Sequence, residues 1–397
     1  MRFGFAKIDI TPPVGLPMSG YAARSGVARG AADRLFCRVS VFGGKSGKAC
    51  LCALDLLCVS REWTAPLRRA IGEALSCPAE AVLLAATHTH AGPAVFVPGR
   101  PEVLRRYEED LAARVVEAAR EAASRTVPVE LFFGEEEVEG VATNRRSPHG
   151  FVDRTVRVLV ARAANRTAGV LAQFSCHPTV LGPDNLRYSR DFFGAATDLA
   201  ESALGSPVVL FNGAAGDAST RFARTDRSER EVLRLGEKLA EGIRAAAHRA
   251  HRVGGETLEA VAERVPLELS PRLSGGETGA GAGPEDAELA RTLLATLGGP
   301  ESLLGPPPWE AEILCLRLGG IDLLALGGEP LSELARRLRE RRPRPWMLLG
   351  YANDYLGYFV PSELARPDAY ETLVALADPS SVDRVFSRLA ELGKKAS

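Results

Sequence analysis

Short apolar runs alternate with amphipathic segments along the whole chain, and this alternation is the feature that most restricts its fold. Apolar, β-branched runs bounded by Gly, Pro or polar residues predict strands. They cover residues 2–10, 35–42, 49–56, 81–86, 129–138, 152–161, 169–175, 208–212, 259–269, 311–318 and 321–326. Helical periodicity predicts helices at residues 62–75, 102–124, 192–203, 227–250, 286–297 and 331–341. Interleaved strands and helices favour an α/β fold.

We therefore predict layered mixed β-sheets flanked by helices, in a single large domain covering residues 1–397. A glycine-rich stretch at residues 274–284 and a proline-rich stretch at 304–308 are interpreted as surface loops on either side of a helix. Strong strand patterns resume on both sides of them. We therefore place no domain boundary there.

Charge and composition narrow the function classes. Lys and Arg total 49 against 50 Asp and Glu, so no global field attracts nucleic acid or anionic lipid. A small uncharged or zwitterionic substrate is the default expectation. No apolar run is long enough for an integral membrane segment, and the first residues lack a signal-peptide pattern. We expect a soluble, cytoplasmic protein, and the sequence does not predict its oligomeric state.

The cysteines fit a reducing compartment. There are 7, an odd number, and they lie mostly inside apolar runs such as ACLCALDLLC. We interpret them as reduced core residues. Cys50 and Cys52 have a metal-site spacing, but no second Cys or His pair lies nearby in the sequence to complete such a site.

Two histidines follow a buried strand in the segment LLAATHTHAGP. In an extended segment His88 and His90 point to the same face, because one residue separates them. The end of a strand is where active sites of α/β sheets tend to lie. The two imidazoles either bind a metal together, divide their roles between metal and substrate, or are ordinary loop histidines.

A third histidine has the same setting. His177 ends the apolar run in AQFSCHPTVLG and is followed by proline. Metal sites draw ligands from several strand ends, and neutral imidazole is a common zinc ligand. The other histidines are predicted to lie on the surface: His248 and His251 in the last turn of a helix and His149 in a turn.

Two carboxylates also end apolar strands. Glu329 follows Gly327 and Gly328, which leave room above its side chain. A helix begins after it, so a favourable charge at the helix N-terminus is the alternative explanation. Asp55 is either a partner that orients a ligand histidine or a hydrogen-bonded structural aspartate.

Together these segments resemble the neutral/alkaline (non-lysosomal) ceramidase family, whose members hydrolyse N-acyl amides with zinc. The similar segments are THTHAGP, FSCHPT, GGEP, GYANDYLGYFVPSELARPDAYE, IDITPPVGLPMSGYA, TNRRSP and NGAAGDAST. The last three look like the family's DITGP…MMGYA, NRSP and N-x-GD-x-SP. The resemblance runs from about Lys7 to Glu371, while the family's C-terminal β-sandwich module has no counterpart in this sequence.

The resemblance implies a site. Its zinc ligands fall on His88, His177, Glu329 and Tyr358, the last being the second tyrosine of an N-x-Y-x-x-Y run. The remaining residues of that site are assigned to the substrate: His90, Tyr370, which lies twelve residues after Tyr358, and an arginine that maps to Arg145 in preference to Arg146. Tyr355 is interpreted as part of an aromatic lining.

The chemistry expected of such a metallohydrolase is attack of zinc-bound hydroxide on an amide carbonyl. Tyr370 and Arg145 would stabilise the oxyanion, and His90 would protonate the leaving nitrogen or hold the substrate. Ser219 and Asp217 are pocket candidates. Thr220 replaces the family's proline, and no G-x-S-x-G elbow supports a serine nucleophile.

Several alternatives remain open. The substrate is ceramide or a more soluble N-acyl compound, because no membrane-binding amphipathic stretch is evident in the sequence. A zinc-dependent ester or phosphoester hydrolase would use the same kind of ion. A catalytically silent ligand-binding relative would keep the fold but lose a ligand, whereas all the proposed ligands are present.

Overall fold

The computed structural model describes residues 1–97, 99–270 and 307–394. In chain order the strands are β1 (Arg2–Asp9), β2 (Gly30–Ala31), β3 (Phe36–Gly44), β4 (Gly47–Leu54), β5 (Val82–Ala86), β6 (Val127–Pro128), β7 (Glu130–Glu137), β8 (Thr143–Asn144), β9 (Thr155–Ala163), β10 (Arg166–Phe174), β11 (Arg187–Tyr188), β12 (Val208–Asn212), β13 (Ala218–Ser219), β14 (His251–Arg252), β15 (Leu258–Pro266), β16 (Glu310–Leu318), β17 (Ile321–Leu326), β18 (Glu329–Pro330), β19 (Trp346–Leu349) and β20 (Tyr358–Phe359).

The α-helices are α1 (Arg61–Leu75), α2 (Glu102–Ser124), α3 (Asp191–Leu204), α4 (Glu229–Arg249), α5 (Glu333–Arg341), α6 (Tyr370–Val374) and α7 (Pro379–Glu391). Single 3-10 turns cover Ala79–Ala81 and Ser362–Leu364. In this part of the chain, no helix has the length and apolar character needed to cross a membrane. The helix predicted at 286–297 and the loop at 274–284 lie outside the described residues, as does most of the stretch at 304–308.

Side-chain caps fix where several helices begin. Ser60 accepts a hydrogen bond from the backbone of Trp63 at the start of α1, and Ser228 accepts one from Glu231 at the start of α4. Such caps satisfy backbone donors that have no partner within the helix. The Ser228 cap explains why α4 begins at Glu229, two residues after the predicted start.

Three mixed sheets form the framework. The first has the strand order β5-β4-β3-β1-β6, the second β12-β10-β9-β7-β14, and the third β15-β16-β17-β19. Each sheet contains one parallel pair, namely β4 with β5, β10 with β12, and β17 with β19; the other pairings are antiparallel. The predicted α/β fold of layered mixed sheets flanked by helices is confirmed.

The three sheets share one apolar core and cover their other faces with helices. Phe42 of the first sheet, Leu171 of the second and Leu323 of the third lie in one buried cluster. Helices α1 and α2 pack on the outer face of the first sheet, α3 and α4 on the second, and α5 and α7 on the third. Burial of both faces explains why the central strands are continuous apolar runs.

The carboxyl ends of the three parallel pairs meet, and Asn212 at the end of β12 joins them. Its side-chain Nδ2 donates to the carbonyl oxygens of Thr87 (3.2 Å) and Cys176 (3.1 Å), after β5 and β10. Its own carbonyl accepts a hydrogen bond from the backbone of Gly350, after β19, at 2.9 Å. One buried residue therefore bonds to all three sheets.

The structure corrects the interpretation of His251 and adds to that of the cysteines. His251 is not in the last turn of α4: the helix ends at Arg249, and His251 pairs with Phe133 in the short strand β14. The chain leaves the helix early because β14 adds to the edge of the second sheet.

The thiols of Cys50 and Cys52 lie 3.8 Å apart in the core of the first sheet, and all 7 cysteines are free.

We expect Asn212→Ala to lower the free energy of unfolding by about 2–4 kcal/mol, because it removes the side-chain hydrogen bonds to Thr87 and Cys176 and leaves buried carbonyl groups unpaired. Urea denaturation followed by circular dichroism measures this. The exposed Asn165→Ala in the β9–β10 turn is the control and should cost about 0.5 kcal/mol or less. Equal stabilities of the two variants would contradict the role given to Asn212.

Candidate metal centre and active site

The ends of the three parallel pairs place three candidate ligands together. His88 follows β5, His177 follows β10, and Glu329 follows β17. All three side chains are buried, with 1–2% of their surface exposed. His88 has a φ of 67°, a left-handed backbone conformation that is uncommon for residues other than glycine and that is concentrated at functional sites. This turn directs its ring towards the other two residues.

The donor atoms of these residues have the spacing of a tetrahedral ligand shell. Nε2 of His88 lies 3.4 Å and Nε2 of His177 lies 3.1 Å from the same oxygen, Oε2 of Glu329. Ligand atoms bonded to one tetrahedral zinc ion are about 3.3 Å apart, given ordinary zinc–ligand bond lengths. The spacing of these three donor atoms is compatible with a bound zinc ion.

Backbone carbonyls orient both buried imidazoles. Nδ1 of His88 lies 2.7 Å from the carbonyl oxygen of Leu57, and Nδ1 of His177 lies 2.7 Å from that of Ala215. A carbonyl only accepts, so each Nδ1 carries a proton. Each Nε2 faces Oε2 of Glu329, to which it donates when protonated, and its lone pair is free for a metal ion when it is not. Burial, with the charge of Arg145, also lowers the pKa of His177, which favours the neutral ligand form.

Glu329 is an ionised carboxylate held by tyrosines as well as histidines. Burial alone raises its pKa, but the charge of His88 and hydrogen bonds from both histidines hold that pKa well below its usual range. The Tyr355 hydroxyl donates a short hydrogen bond to Oε1, and the Tyr351 hydroxyl lies 3.5 Å from Oε2. The Tyr351 ring also stacks on His88, with ring centroids 4.1 Å apart.

His90 lies beside the candidate ligands but is more exposed than they are. Its Nε2 is 3.3 Å from Nε2 of His88, and the three histidines place one ring nitrogen each within 4.8 Å of one another. Burial, with the charges of His88 and His177, lowers the pKa of His90 well below its usual value. Its buried Nδ1 has no hydrogen-bond partner among the described residues. The structure thus places His90 close enough for either a ligand or a substrate role.

Arg145 and Tyr358 form the opposite side of the site. The Arg145 guanidinium donates to the Tyr358 hydroxyl at 3.0 Å, and its Nη1 lies 3.5 Å from Nε2 of His177. Tyr358 pairs with Glu329 in the β18–β20 ladder, which sets its position. Burial raises the pKa of the Tyr358 hydroxyl well above its ordinary value despite the charge of Arg145. The phenol is therefore protonated when no cation is bound.

Glu371 fixes the arginine. Its carboxylate accepts a hydrogen bond from Nε of Arg145 at 2.7 Å and lies 3.5 Å from Nε of Arg146. Arg146 instead donates to the carbonyl of Leu364, so the structure brings Arg145 to the site in preference to Arg146. The Arg145 guanidinium also lies 5.6 Å from the ring centroid of Tyr370, which places Tyr370 at the same side.

Asp217 and Ser219 support the site from the β12 loop. Asp217 is buried and accepts hydrogen bonds from the backbone and hydroxyl of Ser332 (2.8 and 2.7 Å) and from Asn144 (2.9 Å). It therefore joins the segment before Arg145 to the segment after Glu329. Ser219 is buried and forms an isolated parallel β-bridge with His177. Its hydroxyl accepts a hydrogen bond from the backbone N–H of Arg221.

Three contributions were not found in the sequence. Tyr351 and Glu371 have no pattern of their own, although Glu371 directly follows Tyr370 and Tyr351 begins the tyrosine-rich segment. Tyr355, assigned to an aromatic lining, also bonds to Glu329. Of the two interpretations of Asp55, the structure supports the hydrogen-bonded structural aspartate. Its carboxylate accepts hydrogen bonds from the Thr87 hydroxyl and from the backbone N–H of Phe36. It does not orient His88, whose Nδ1 bonds to the carbonyl of Leu57.

Comparison with known proteins identifies a family and a shared fold. The family described as "Neutral/alkaline non-lysosomal ceramidase, N-terminal" matches residues 1–214. The neutral ceramidase from Pseudomonas aeruginosa has a similar structure, with a TM-score of 0.80 at 21% identity, covering 98% of this chain and 73% of that one. A ceramidase complexed with C2 gives 0.80 and 21%, covering 98% and 74%. No curated protein matches the sequence.

We expect Asp217→Ala to lower the free energy of unfolding by about 3 kcal/mol, because it removes three hydrogen bonds and leaves buried donors unpaired. Ser332→Ala, which removes only the hydroxyl donor, should cost about 1 kcal/mol. Both values come from urea denaturation. A cost for Asp217→Ala no larger than that for Ser332→Ala would show that Asp217 does not join the two segments.

Proposed function

Because the chain belongs to the neutral/alkaline non-lysosomal ceramidase family, we propose that it is a zinc-dependent hydrolase that cleaves an N-acyl amide bond. The observation that carries this proposal is the convergence of two imidazoles and one carboxylate on a common point. The substrate is a ceramide-like lipid or a more soluble N-acyl compound.

The donor chemistry fits zinc. His88, His177 and Glu329 would hold the ion, and Tyr358 is proposed as the fourth ligand, with His90 on the substrate side. When bound, zinc supplies a coordinated water that ionises near neutral pH and a Lewis acid for a carbonyl oxygen. Two imidazoles, a carboxylate and a buried phenol offer nitrogen and oxygen donors, the types that zinc accepts in catalytic sites.

Arg145 is the proposed stabiliser of negative charge on the amide oxygen. Its guanidinium is held by Glu371 at 2.7 Å and lies beside His177, so its position is set before any substrate binds. Donors fixed in this way stabilise the charge that develops during acyl transfer. Tyr370, on the same side, is the proposed second donor.

His90 is the proposed group that contacts the substrate nitrogen. Its lowered pKa keeps the ring neutral at pH 7, so it holds one proton and one lone pair. Its Nε2 lies 3.3 Å from Nε2 of His88 and is therefore the ring atom on the side of the candidate metal centre.

Metal content tests the ligand assignment. We expect purified wild-type protein to hold about one zinc per chain by elemental mass spectrometry, and His88→Ala or Glu329→Ala to hold roughly a tenth of that, because each loses a ligand. His149→Ala, which changes an exposed histidine in a turn, is the control and should keep its zinc. Stoichiometric zinc in both ligand variants would mean that the ligand set is wrong.

A second pair of variants separates the roles of Tyr358 and His90. We expect Tyr358→Phe to weaken zinc affinity by about 10- to 100-fold, as loss of one oxygen ligand or its partner does. His90→Ala should keep its zinc but lower kcat on an N-acyl amide by about 100-fold or more. Competition with a chelator measures affinity. If His90→Ala lost its zinc and Tyr358→Phe kept it, His90 would be the fourth ligand and Tyr358 would lie on the substrate side.

A further inference from the structure

A loop near the N-terminus packs directly on His90. Gly20 has a φ of +105°, and a Cβ atom there would lie 2.6 Å from the Cα of His90, so only glycine lets the loop approach this closely. The ring of the next residue, Tyr21, meets the His90 ring edge-on at 5.0 Å. Arg24 donates a hydrogen bond to the His90 carbonyl at 2.7 Å. Tyr21 and Arg24 therefore contact His90, which itself lies beside the candidate metal centre.

Two more arginines, in the segment after Ser219, contact the loop that follows His177. Arg224 donates to the carbonyl of Thr179 at 2.9 Å, two residues after His177. Arg227 lies against Gly182, where a Cβ atom would be 2.5 Å from its Nη1. Between these contacts is Leu181, whose carbonyl accepts the hydrogen bond of the Tyr21 hydroxyl at 2.7 Å. The three guanidinium groups thus lie around the Tyr21 hydroxyl.

The electrostatics of Tyr21 agree with this arrangement. Burial raises the pKa of its hydroxyl, and the charge of Asp191 adds to that rise, whereas Arg24, Arg224 and Arg227 each act in the opposite direction. Positive charge favours the ionised form of a hydroxyl, so the three arginines act on Tyr21 in the same direction.

These arginines have no carboxylate partner. Within residues 1–97, 99–270 and 307–394, no carboxylate oxygen lies within 4.0 Å of a nitrogen of Arg24, Arg224 or Arg227. The nearby Asp191 directs its oxygens to the backbone of Leu181 and Phe192. Arg24 and Arg224 are only partly exposed, and Nε of Arg24 is buried without a partner. Partly buried guanidinium groups that no carboxylate contacts directly gain most from a bound anion.

We propose that Arg24, Arg224 and Arg227 form an anion subsite on the His90 side of the candidate metal centre, and that the substrate is an N-acyl amino acid whose carboxylate binds there. A guanidinium group matches a carboxylate in charge and hydrogen-bond geometry. The subsite is adjacent to His90, so the carboxylate belongs a few bonds from the scissile amide, on the nitrogen side. The substrate class rests on the proposed amide hydrolysis, but the binding preference does not.

The reaction on such a substrate is ordinary hydrolysis. The amide C–N bond breaks, the oxygen of water bonds to the acyl carbon, and a proton from that water goes to the nitrogen. The products are a carboxylic acid and a free amino acid. No oxidant, reductant or further co-reactant is needed.

The test compares two probes of similar size, N-(dodecylsulfonyl)glycine, which ends in a carboxylate, and N-(dodecylsulfonyl)ethanolamine, which ends in a hydroxymethyl group. Their sulfonamide bond is not cleaved as an amide. Calorimetry at low ionic strength should give about tenfold tighter binding of the glycine probe to the wild-type protein. In Arg224→Gln/Arg227→Gln the preference should fall to about threefold or less. Arg69→Gln/Arg166→Gln, which removes two exposed arginines elsewhere, should keep the full preference.

Equal binding of the two probes by the wild type would overturn the proposal. A preference that survives in Arg224→Gln/Arg227→Gln, with both double variants folded by circular dichroism, would overturn it as well. N-dodecanoylglycine and N-dodecanoylethanolamine are then assayed for hydrolysis. A carboxylate preference in binding without hydrolysis of either amide would leave the anion subsite standing and reject the proposed enzymatic activity.

Discussion

The hydrogen bonds of Asn212 are the constraint on which the rest of the structure depends. Each sheet contributes one parallel strand pair, and the carboxyl ends of these pairs meet where Asn212 bonds to Thr87, Cys176 and Gly350. His88 and His177 each follow one of these contacts by a single residue. The separation of His88 and His177 is therefore set by one buried side chain that holds the backbone on either side of the site.

A second layer of bonds then fixes the orientation of each functional group. Carbonyl oxygens of Leu57 and Ala215 hold the two imidazoles, tyrosine hydroxyls hold Glu329, and Glu371 holds Arg145. Each group thus meets its neighbours with little freedom to rotate. Such preorganisation is what electrostatic catalysis requires, because groups already in place do not have to be ordered during the reaction.

The sequence predicts much of this arrangement because the signals are local. His88, His177 and Glu329 each follow an apolar strand directly, and strand ends are visible in the pattern of residues. Tyr351 and Glu371 were missed because their roles come only from contacts across the fold. The choice between Arg145 and Arg146 depends on which side chain faces Tyr358, and spacing does not encode that. The arginines around Tyr21 were missed for a related reason: a net charge of -1 conceals a local excess of positive charge.

The distribution of the candidate ligands over three sheets couples the site to the folding of the whole chain. His88, His177 and Glu329 are far apart in sequence, so an ion bound by all three crosslinks distant segments and disfavours every conformation in which one sheet has opened. Exchange of backbone amide hydrogens in β5, β10 and β17 would then slow together on metal binding, although no single strand holds the ion alone. Binding of the ion would therefore depend on the folded state of all three sheets and not on one loop.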